Sequence, residues 1–198
     1  MNQTAYQHVA AQESDRPRRV IENIFLDNDM PEERTRLEEW LRCAFSPQQF
    51  MERQMVLIPR LQYNLLLLTA AASVLSSDKW PDEDDRPNPY NAMEERWFFK
   101  RRRAAQIPYE YFPRYLDLKE YICPQYVFCK AGDALPVRSW SQLLDQLLAA
   151  AQSKKAIYEI SRQKNLYELC HLLLPLLEAA YLVFVRELQQ LTSFRTIS

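Results

Sequence analysis

The sequence predicts an all-α protein, an irregular bundle of six to eight helices, and three observations carry that expectation. Apolar residues recur at three- and four-residue spacing over several long stretches, which places them on one face of a helix. A capping residue followed by proline opens two of those stretches, at Asp29-Met30-Pro31 and at Ser46-Pro47. Glycine occurs once in 198 residues, at Gly132. Average usage is ~7%, so a sheet-rich fold with many tight turns would lack its usual turn residue here.

Taken in order, residues 1–15 are polar and aperiodic and read as a flexible tail, followed by one helical domain over 16–198. A short helix is expected over Arg18–Leu26. Asp29 can cap the next, Pro31 suits its first turn, and Leu37, Trp40, Leu41 and Phe45 form its apolar face. Ser46-Pro47-Gln48-Gln49 repeats the start signal, and a long helix over 47–75 is expected, with Met51, Met55, Ile58, Leu65, Leu68, Ala72 and Leu75 on its apolar stripe. Gln62 is the polar break in that stripe.

Residues 76–91 read as an acidic, proline-rich linker containing Asp82-Glu83-Asp84-Asp85, and 92–105 as a helix. The stretch from Ile107 to Val137 is irregular and tyrosine-rich. A short helix over Pro113–Tyr121 is expected, with at most one small β-hairpin near 126–137 pairing across Lys130-Ala131-Gly132-Asp133. A helix starting at Ser139 or Ser141 should turn Trp140, Leu143, Leu144, Leu147, Leu148 and Ala151 inward, and a short helix follows near Lys154–Ser161. Leu166, Cys170, Leu173, Leu177, Tyr181, Phe184, Leu188 and Leu191 then hold a heptad-like stripe over the last helix. The two long central helices each contain a proline, Pro59 and Pro175, which makes them candidates for kinks and for a cleft between them.

Composition excludes several function classes. A phosphate-binding glycine loop or a dinucleotide fingerprint needs several glycines at fixed spacing, and one glycine builds neither. A formal net charge of -1 gives no global attraction to nucleic acid or to an acidic membrane. Leu65–Leu75 is too short to span a bilayer, and Leu172–Val185 is interrupted by Pro175 and Glu178, so membrane insertion is not expected. The first residues lack a basic segment followed by an apolar one, and four cysteines are sparse for this length, so a cytoplasmic location is expected.

Few residue groups suggest chemistry. Glu168 and His171 have the spacing that di-iron carboxylate bundles use, but a second such motif is missing, since the other histidine is His8. Cys123, Cys129, Cys170 and His171 do not have the close pairing usual in zinc sites, and adjacent Cys170 and His171 point about 100° apart on a helix. Neither a metal, a cofactor nor a catalytic residue is therefore assigned, though a carboxylate or cysteine enzyme remains a third alternative.

The leading expectation is a non-enzymatic interaction module, an adaptor, accessory subunit or regulator, that binds a protein partner or itself through a helical surface. Tyr109, Tyr111, Tyr115, Tyr121 and Tyr126 have the composition found at interfaces. The alternative is a nucleic-acid-binding regulator that uses the basic-aromatic helix 92–105, with Trp97 for stacking and Lys100, Arg101, Arg102 and Arg103 for phosphates.

Overall fold

The computed structural model describes residues 17–46, 57–76, 113–153 and 155–194, with side chains as far as 186. Among the described residues there are eight helices and no strands: α1 Pro17–Asp27, α2 Met30–Phe45, α3 Ile58–Leu75, α4 Leu118–Ile122, α5 Gln125–Ala134, α6 Val137–Gln152, α7 Ile157–Ile160 and α8 Leu166–Phe194. The protein is an all-α multi-helix bundle. Helices α3 and α8 lie at its centre, each packed against α1, α2, α5 and the other.

The periodic stripes become the buried faces. In α3, Ile58, Leu61, Leu65, Leu68, Ala72 and Leu75 are buried; in α6, Trp140, Leu143, Leu144, Leu147, Ala150 and Ala151; in α8, Cys170, Leu173, Leu177 and Ala180. Gln62, the break in the α3 stripe, donates from Nε2 to Asp145 Oδ1 of α6 at 2.7 Å. A polar residue inside an apolar stripe is thus satisfied across a helix pair.

Several local expectations are corrected. Pro59 does not interrupt a helix, because α3 begins at Ile58 and Pro59 stands in its first turn, where a missing N–H removes no helical bond. Residues 47–56, the expected first part of that helix, lie outside the described residues. Pro175 does lie inside α8, which runs through it from Leu166 to Phe194. Asp29 sits at the start of α2 with extended backbone, but its side chain makes no capping hydrogen bond.

The hairpin near 126–137 is absent. Val127, Phe128 and Ala131 are buried on one face of α5, with the three- and four-residue spacing of a helix rather than the alternation of a strand. Gly132 is therefore helical and serves a purpose other than a turn. A Cβ at this position would lie 3.2 Å from Ser76 Oγ, 3.3 Å from Ser73 Cα and 3.4 Å from the Ala72 carbonyl oxygen. The one glycine of the chain lets the backbones of α5 and α3 approach closely.

A substitution series at Gly132 measures that contact. Alanine gains helix propensity of up to ~1 kcal/mol against mild crowding of Ser73, so Gly132→Ala should leave stability nearly unchanged. Gly132→Leu should cost roughly 1–3 kcal/mol by overpacking, read from urea denaturation. A leucine variant as stable as the parent would show that the glycine does not set the α3–α5 distance.

Candidate functional site

On α2, Met30, Arg34, Leu37 and Leu41 share one face, so the helix carries a guanidinium into the apolar interior. On α8, Glu178 follows the buried Leu174 by one turn and faces the same interior. Arg34 Nη1 donates to Glu178 Oε1 at 2.8 Å, and the two residues are 2% and 0% exposed. Glu178 also accepts the backbone N–H of Arg114 at 2.9 Å to either oxygen, and that of Tyr115 at 2.8 Å to Oε2. One carboxylate thus joins α2, α8 and the segment that enters α4.

That entering segment, Pro113–Asp117, is held at further points. The Tyr115 hydroxyl donates to Glu38 Oε1 at 2.8 Å. Burial, and then the hydrogen bond to the Glu38 carboxylate, push the Tyr115 hydroxyl up to about 12. Asp117 and Glu120 form a reciprocal capping box: the Glu120 N–H donates to Asp117 Oδ1 at 2.8 Å and the Asp117 N–H to Glu120 Oε2 at 3.0 Å. At the other end of α4, Arg186 donates to the carbonyls of Tyr121 at 2.7 Å and Ile122 at 3.1 Å. Helix α4, expected over Pro113–Tyr121, begins at Leu118, after Asp117, whose backbone is extended and whose side chain caps the helix.

Beside the Arg34–Glu178 pair opens a cleft of ≈ 650 Å³ whose walls include Asp29, Glu32, Arg34, Arg36 and Arg114. Arg36 binds Glu32 at 2.7 Å and Glu33 at 2.5 Å, and Arg34 binds Glu178, so these two cations are matched by carboxylates of the protein itself. Desolvation raises the buried Glu33 carboxyl above its ordinary value, against the opposing pull of Arg36.

The sequence-derived candidates distribute as follows. Trp97, Lys100, Arg101, Arg102, Arg103, Tyr109 and Tyr111 lie outside the described residues. Tyr115 is on the pinned segment, Tyr121 is half-buried with the Arg186 guanidinium 5.7 Å from its ring centre, and the Tyr126 ring lies 4.0 Å under Lys119 Nζ. These three tyrosines hold the fold through internal contacts. Glu168 and His171 are both exposed, and Cys170 is 0% exposed with its thiol pushed up to about 12 by burial. Cys123 is buried and Cys129 half-buried, with burial raising the Cys129 thiol. Among the described residues no group of three or more His, Cys, Asp or Glu side chains is placed to hold a metal ion. The Leu166–Arg186 part of α8 is long and apolar enough to cross a membrane, and 61% of its apolar window is buried inside the protein.

A surface that sequence reasoning passed over lies around the α7–α8 junction. Tyr158 and Tyr167 are 65% and 63% exposed. The Tyr167 ring meets Phe45 edge-on at 5.7 Å and the His171 imidazole at 4.1 Å, so it is braced from two sides. Between the tyrosines, Arg162, Gln163, Lys164 and Asn165 are exposed, and Asn165 holds a left-handed backbone with φ 58°. The available signal was positional. Tyr158 and Tyr167 fall off the stripes that fill the core.

Comparison with models of protein families, with curated proteins and with solved structures finds no match to this chain.

Two predictions concern the buried carboxylate and the pinned segment. Glu178→Ala removes the carboxylate that the buried Arg34 and two part-buried backbone N–H groups bond to, and should cost about 3–5 kcal/mol in chemical denaturation. An Arg34→Met, Glu178→Leu double variant should lose less than the sum of the single losses. The second prediction is a pH dependence. Because the Tyr115 hydroxyl sits above its ordinary value when folded, its contribution is fully present below pH 10 and is lost as pH rises toward about 12. Thermal melts over that range should show a shallower alkaline loss for Tyr115→Phe than for the parent.

Proposed function

We propose that this chain is a non-enzymatic protein-interaction module, an adaptor, accessory subunit or regulator, that meets its partner through the helical surface around Tyr158 and Tyr167. The observation that supports this reading is the exposure of those two rings, at 65% and 63%. A tyrosine buries ~200 Å² when covered, so re-covering the exposed two-thirds of each ring offers about 3 kcal/mol before the costs of association. Tyrosine also loses little rotamer freedom on binding and carries a hydroxyl that can bond at the rim, which is why it recurs among interface anchors.

The bracing of Tyr167 by Phe45 and His171 adds to this. A ring held before a partner arrives has less entropy to lose when the partner covers it. The tyrosines at 115, 121 and 126 fit the role less well, since each is already engaged by a carboxylate or a cation of the protein.

The test is affinity capture from source cells with the parent chain and a Tyr158→Ala, Tyr167→Ala variant whose circular dichroism matches the parent. A partner held by the parent and weakened about tenfold or more in the variant is expected, as for hot-spot tyrosines. Equal retention by both chains, or a parent that runs as a monomer without a retained partner in native mass spectrometry, would count against the reading.

A further inference from the structure

We draw no further inference here: the strongest candidate, the cleft beside the Arg34–Glu178 pair at the start of α2, belongs to the site already described, where carboxylates of the protein already meet Arg34 and Arg36, and nothing in the structure shows what it would hold.

Discussion

The structure depends most on one buried carboxylate. Glu178 lies on a long apolar helix, fully out of water, and it is tolerable there because its oxygens are answered by a guanidinium from α2 and two backbone N–H groups from the segment before α4. Such a pair adds little net stability relative to an apolar packing of the same volume. An apolar α8 could settle against α2 in several registers, but only one brings Glu178 to Arg34 and also presents its second oxygen to the chain at Arg114 and Tyr115.

Polar staples of this kind take over where the apolar stripes end. The region from Pro113 to Ile122 has too few apolar residues to hold itself by burial, with Leu118 57% exposed, and a four-point set of hydrogen bonds fixes it instead. Aromatic side chains near it are braced by cations, Tyr121 by Arg186 and Tyr126 by Lys119. A tyrosine-rich composition thus corresponds, in the described part of this stretch, to internal fastening. The most exposed tyrosine rings among the described residues are elsewhere, at Tyr158 and Tyr167, against 38% exposure for Tyr115.

The helical architecture was legible because periodicity survives without neighbours: the three- and four-residue stripes over Leu61–Leu75, Trp140–Ala151 and Leu166–Phe184 each became a buried face. Local signals failed where two readings shared one set of residues. Tyr126–Val137 contains an alternating fragment on either side of a glycine, which suits a hairpin, yet the same residues place Val127, Phe128 and Ala131 on one helical face, and packing against α3 selects the helix. Proline was ambiguous in the same way. Pro59 and Pro175 look alike in sequence, but one opens a helix and the other lies within one, and the difference rests on where the helix begins.

By itself the sequence determined that the chain is helical, which faces of the long periodic helices turn inward, and that glycine-built nucleotide loops are out of reach, since these follow from spacing and residue type alone. Only the tertiary structure decided what the exceptions mean. Glu178 was visible as a charge interrupting an apolar run and Arg34 as a cation at apolar spacing, but nothing along the chain says that residues 144 apart will pair. Gly132 gained its role from the approach of α3, and Tyr158 and Tyr167 became a surface once the core had closed without them. Pairing, close approach and exposure are relations between distant segments, so they appear only when those segments have met.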